Sequence, residues 1–124
     1  MAARAKSPAK GGYVTICEWM IRRYGLTGRQ LMLYAIIHSF SQDGYSKFNG
    51  TLRYLSFWTG LSKQRLIVLL KELVDKELIQ REEIPVHNNS TRHFVNYWTT
   101  FSRLSPKEQE VELVNIPERK VKKN

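Results

Sequence analysis

The chain has a single cysteine, Cys17, in 124 residues, so no disulfide can form within it. A chain this poor in cysteine fits a reducing compartment, and a cytoplasmic setting is expected. Cys17 lies among apolar neighbours in VTICEWM and reads as a buried structural thiol. Long hydrophobic runs are missing too. The longest aliphatic stretch, Leu66 to Leu70, is far short of the about 20 residues that cross a bilayer. The charged start MAARAKSPAKGG leads into no apolar segment of the kind a secretion signal carries. No membrane partner is expected, and the Asn-x-Ser/Thr sequons at Asn49, Asn88 and Asn89 read as chance. Glycine is too sparse for a phosphate-cradling loop. There is no carboxylate pair, Ser/His/Asp grouping or Cys/His cluster at ligand spacing. His87 and His93 are separated by five residues and read as decoration of a loop. Neither catalysis, nor a metal, nor another cofactor is expected.

What the chain does have is positive charge, unevenly placed. Its formal net charge is +9 and its pI about 9.9. Residues 1–81 hold 13 Lys and Arg against 5 Asp and Glu, whereas residues 82–124 hold 7 against 6. A basic front half is the footprint of a polyanionic partner. The hydrophobic fraction of 42% suffices for one compact domain with tails. The expected layout is a disordered basic arm over 1–12, a domain over 13–100, and a short helix with a basic tail over 101–124.

Residues 1–12 lack apolar periodicity and carry Arg4, Lys6 and Lys10, either as a loose terminus or as extra phosphate contacts. Residues 13–24, YVTICEWMIRRY, fit an extended lead-in or a short helix. Trp19 and Met20 would close one end of the core, with Arg22 and Arg23 solvated. Thr27 is expected to cap a helix from about Gly28 to Phe40. No charged residue occurs between Gln30 and Gln42. Leu33, Ile36, Ile37 and Phe40 make one face, and Leu31, Met32 and Ala35 fill much of the rest, so this is a buried scaffold helix. His38 on it reads as a boundary histidine bonded locally. A turn at Gln42-Asp43-Gly44 and a very short strand at Lys47-Phe48 follow. Thr51 should cap a helix over about Leu52 to Thr59, and Ser62 another running to about Lys76. A strand beginning at Leu78-Ile79, a loop over 84–92 and a return strand from Phe94 to Thr100 make a hairpin. The fold class expected is mainly α with a small β-hairpin: a three-helix core plus a wing. Beyond it, Ser105-Pro106-Lys107-Glu108 is a capping box for a short acidic helix. Pro117 ends that order, and Arg119, Lys120, Lys122 and Lys123 follow.

Residues 50–81, GTLRYLSFWTGLSKQRLIVLLKELVDKELIQR, are the most informative stretch. Ser56, Gly60 and Leu66 are spaced to let two short helices cross tightly. Ser56 admits the second backbone, Gly60 makes the turn, and Leu55, Leu66 and Leu69 join the crossing. Tyr54, Phe57 and Trp58 read as core. Lys63, Gln64 and Arg65 crowd the first turn after the Ser62 cap. The helix dipole disfavours cations there, so their presence points to an external anion.

The run from Gly50 to Arg81 (an apolar helix, TGLS, a charged first turn, then leucines and LVDKELI) resembles a winged helix-turn-helix. The wider stretch from Tyr13 to Tyr97 is similar to the winged-helix domains of replication initiators and replisome organisers of bacterial plasmids, phages and integrated mobile elements. The residues that carry this likeness are Trp19-Met20, Leu26, Tyr34-Ala35-Ile36, Phe40 to Gly44, Phe48, Gly50, Tyr54-Leu55 and Trp58-Thr59-Gly60. The resemblance implies binding of double-stranded DNA, with the helix after the turn in the major groove and the preceding helix crossing the backbone. Lys63, Gln64 and Arg65 would then meet bases and phosphates, Gln64 matching adenine and Arg65 guanine, unless Arg65 folds back onto Glu72. Lys71 would meet phosphate; Thr51, Arg53 and Ser62 would meet the backbone. Arg92 on the wing would enter the minor groove. Ile67 and Val68 stand at positions often polar in the family, and either touch a thymine methyl or mark a protein contact. Glu77 stands where the pattern usually has glycine, which implies a wider turn or a longer helix. The function implied is DNA binding in replication initiation or regulation of a mobile element. A transcription regulator with the same binding mode and a protein-interaction winged helix are the alternatives. A homodimer on paired half-sites and contacts with replication proteins remain open partners.

Overall fold

The computed structural model describes residues 12–85 and 93–114. The expected basic arm, the tip of the wing with Arg92, and the basic tail lie outside the described residues. The order of elements is α1 (Glu18–Arg22), α2 (Gly28–Ser41), α3 (Leu52–Thr59), α4 (Lys63–Asp75), β1 (Ile79–Pro85), β2 (His93–Thr99), a 3-10 turn (Phe101–Arg103) and α5 (Pro106–Val114). The fold is mostly helical with one antiparallel hairpin: a helix-turn-helix with a wing. The ambiguous lead-in contains a short helix, α1. The expected loop starts later than Ile84, because β1 continues to Pro85, paired with His93.

α2 is the scaffold. It buries Leu33, Tyr34, Ala35, Ile36, Ile37 and Ser41, leaving little of its surface to water. It runs one residue past Phe40 because the Ser41 hydroxyl donates back to the Ile37 carbonyl at 2.9 Å and accepts from the Thr99 N–H at 3.3 Å. After it, the Asp43 carboxylate accepts from the Tyr45 and Ser46 amides at 2.9 and 2.7 Å, which fixes the expected turn. The very short strand is a single bridge. Phe48 and Tyr97 exchange both backbone hydrogen bonds, at 2.7 and 2.9 Å, and so attach the segment before α3 to the hairpin. Gly50 is required beside it, since a Cβ there would come within 2.5 Å of the Phe48 ring.

The core joins Met20, Leu26, the α2 face, Phe48, Leu55, Ile79 and the α4 leucines Leu66, Leu69, Leu70 and Leu73. Burying each of those leucines is worth about 1.5–3 kcal/mol. α4 ends at Asp75, so the helix is not lengthened. Glu77 takes the left-handed conformation (φ 62°) in the glycine's place. The Glu77 amide donates to the Val74 carbonyl (2.9 Å) and the Leu78 amide to the Leu73 carbonyl (3.0 Å). These are the two bonds of a Schellman cap, so the turn is not widened either. The Thr100 hydroxyl donates to the Glu77 carbonyl at 2.8 Å and holds the unfavourable residue in place.

Three further expectations are corrected. His38 is bonded across the fold and not locally: its Nδ1 lies 2.9 Å from the Thr99 hydroxyl on β2, and its ring sits against Trp19 and Phe101. Burial lowers its pKa from 6.5 to about 4. Arg23 is half-buried, its Nε 3.3 Å from Glu112 of α5, and not solvated. Cys17 is half-buried at the start of α1 and not enclosed. α5 opens with the expected capping box. The Ser105 amide donates to Glu108 (2.8 Å), and the Ser105 hydroxyl accepts from the Glu108 amide (3.2 Å).

Candidate nucleic-acid interface

The corner between α3 and α4 is built from short-range chemistry. Thr51 caps α3 by accepting from the Tyr54 amide (3.1 Å), and Gly60 ends it at φ 75°, a conformation that costs glycine least. The Ser56 hydroxyl donates to the Leu61 carbonyl across the turn at 2.7 Å. Ser62 then caps α4, accepting from the Arg65 amide at 3.2 Å. Two tethers from α2, absent from the sequence reading, fix the corner to the scaffold. Arg29 donates to the Thr59 carbonyl at 2.8 Å, placing a cation at the C-terminus of α3 where the dipole favours one. Gln30 donates to the Glu72 carboxylate at 3.0 Å and to the Leu69 carbonyl at 3.4 Å.

With Leu66, Leu69, Leu70 and Leu73 turned inward, α4 presents Lys63, Gln64, Arg65, Ile67, Val68, Lys71, Glu72 and Asp75 to water. Lys63, Gln64 and Arg65 are exposed, and among the described residues their side chains have no hydrogen-bond or ion-pair partner. Arg65 does not fold back onto Glu72, whose carboxylate is taken by Gln30. Arg53 on α3 is likewise exposed. The first turn of α4 holds no acidic residue, so its two cations face only the positive end of the helix dipole. Lys71 is differently placed: it pairs with Asp75 one turn on, at 3.2 Å, with both side chains well exposed. Such a pair is weak and exchangeable.

Between α4 and the hairpin lies a cleft of about 720 Å³. Ile67, Lys71 and Val74 line its α4 side, Thr51 one rim, and Arg81 and Val95 the hairpin side. Arg81, on β1, joins Thr51 and Lys71 around this opening, although no local pattern around it singles it out. Phe57 overturns its reading as core. It is 83% exposed on the outer face of α3, whereas Tyr54 and Trp58 are half-buried as expected of core neighbours.

Residues 24–79 match the family profile described as a helix-turn-helix domain. The match runs from the residue before the α2 lead-in to the first residue of β1, and so contains the corner just described. It supports DNA binding as the activity of this fold. No curated protein matches the chain. Among the described residues no helix is long and apolar enough to cross a membrane.

Proposed function

We propose that this protein binds double-stranded DNA, inserting the N-terminal half of α4 in the major groove and setting the hairpin beside it. The observation that carries this reading is the first turn of α4. Lys63, Gln64 and Arg65 stand exposed, with no side-chain partner among the described residues, just past a corner that three hydrogen bonds and two α2 tethers hold fixed. A cation at a helix N-terminus is intrinsically disfavoured, and a phosphate backbone supplies the missing counter-charge. Thr51, Arg53, Ser62 and Lys71 are backbone contacts in this reading, and Arg92 reaches the flanking groove. Lys71 exchanges Asp75 for a phosphate when DNA arrives.

The likeness of Tyr13–Tyr97 to winged-helix domains of replication initiators supports a setting in replication initiation or regulation of a mobile element, with replication proteins as partners. Regulation of transcription by the same contacts is the alternative, and a homodimer on paired half-sites is compatible with either. The location of the bound sites, at an origin or at promoters, separates the two settings.

A salt titration against random duplex DNA tests the binding itself. With about five phosphate contacts the log–log slope is about −4 to −5. Weak binding that does not respond to salt would falsify the reading.

A further inference from the structure

We infer that α4 reads a thymine through Val68 and the neighbouring adenine through Gln64, so that the preferred duplex site is built around A·T pairs. This rests on the DNA-binding reading above and specifies what that site recognises.

Gln64, Val68 and Lys71 follow one another at helical spacing on the side of α4 away from its buried leucines. In the middle of that line Val68 is 43% exposed, with Ile67 beside it at 53%. Ile67 turns toward the cleft and the hairpin, which leaves Val68 as the aliphatic group facing outward. The two carboxylates of α4 lie beyond Val68 and are both engaged, Glu72 by Gln30 and Asp75 by the exchangeable pair with Lys71. An outward line of amide, branched hydrocarbon and ammonium therefore remains. In the major groove, adenine offers a donor and an acceptor that a glutamine amide meets with both its atoms. Thymine offers the one methyl group on the groove floor, and phosphates lie at the edge for Lys71. A cytosine in the same place presents an amino donor that valine cannot accept. An interface with another protein fits less well. Two half-exposed aliphatic side chains flanked by the cations Arg65 and Lys71 are far below the about 800 Å² per partner of a standard interface.

The test begins with duplexes selected from a random-sequence pool by the whole chain. In the recovered site each dT is replaced in turn by dU, which removes only the methyl, and binding is compared for the wild type and Val68→Ala. The expected result is a loss of about fourfold at one or two thymines, the worth of one buried methyl. The Val68→Ala protein loses the same factor and no longer distinguishes dT from dU. A 5-methylcytosine·guanine pair at that position restores part of the wild-type affinity relative to cytosine·guanine. If the wild type binds the selected duplex and no dT-to-dU change weakens it, the inference falls while the DNA-binding reading stands. The inference falls as well if Val68→Ala keeps its sensitivity to dU, or if it abolishes self-association seen by sedimentation instead. Failure to bind either selected or random duplex at low salt brings down the DNA-binding reading itself. Val68 is exposed, so its truncation leaves the fold intact, which a thermal melt checks.

Discussion

At the corner between α3 and α4, hydrocarbon does the holding: Leu55, Leu66, Leu69, Leu70 and Leu73 are buried there, with caps and α2 tethers around them. At the flank where α1 meets α5, aromatic rings and polar atoms do it instead. Trp19 stacks on Phe101 with centroids 4.1 Å apart, and the rings of Tyr34 and His38 surround them. The Tyr24 hydroxyl donates to Glu112 at 3.0 Å, and α5 itself buries no residue. Both α4 and α5 begin with a serine cap. A cap sets where a helix starts, but only burial makes the helix part of the core. The corner is therefore the firm platform, and the flank is the part that solution conditions can loosen.

The largest effect should come from breaking the platform. Leu66→Ala is expected to cost about 3–4 kcal/mol, read as a fall in urea midpoint that loosens both regions together. Acid comes next, and acts through the flank. His38 has a folded pKa of about 4 against 6.5 unfolded, so between those values the unfolded chain binds more protons. Stability should hold above about pH 6.5, decline toward pH 4 by about 3 kcal/mol, and level off below. His38→Gln should flatten that part of a melting-temperature profile; an unchanged slope assigns the loss to other groups. Third, Arg65→Ala should weaken binding to a selected duplex about tenfold while leaving the melting temperature alone, because its side chain supports nothing inside the fold. A matching drop in stability would mean that the platform and its reading surface are not separable. Fourth, Glu77→Gly should stabilise by about 0.5–1 kcal/mol by removing a side chain from a left-handed residue, measured by chemical denaturation. The smallest effect belongs to Glu112→Gln. Loss of its charge should cost well under 1 kcal/mol globally, yet speed proteolysis within α5.

The corner was legible in the sequence because its determinants are local. Thr51, Gly60 and Ser62 act on residues within a turn of themselves, and the spacing of Leu66, Leu69, Leu70 and Leu73 fixes which side of α4 is buried. The same holds for the Ser105–Glu108 box. What could not be read were contacts between distant parts of the chain. Nothing near Arg29 or Gln30 announces that they will meet Thr59 and Glu72, and nothing near His38 points to Thr99, 61 positions away. Arg23 looked solvated because its partner, Glu112, comes from the far end of the chain. Phe57 misled for another reason. Hydrophobicity predicts burial on average, but α3 is only eight residues long and has one inward face, already filled by Leu55 and Thr59. Glu77 departed from the usual glycine without altering the turn, since backbone bonds on both sides of it dictate the path.

The Phe48–Tyr97 bridge has a consequence for the kinetics of recognition. It fastens the residues leading into α3 to the same hairpin that follows α4, closing a ring of covalent and hydrogen-bonded links around the cleft. Helix and hairpin are thereby kept in register before any duplex is encountered, and little ordering of the chain is left for the moment of contact. In the proposed binding, association of such a body with DNA would be governed by diffusion and charge steering, and discrimination between sites would fall to how quickly each complex dissociates.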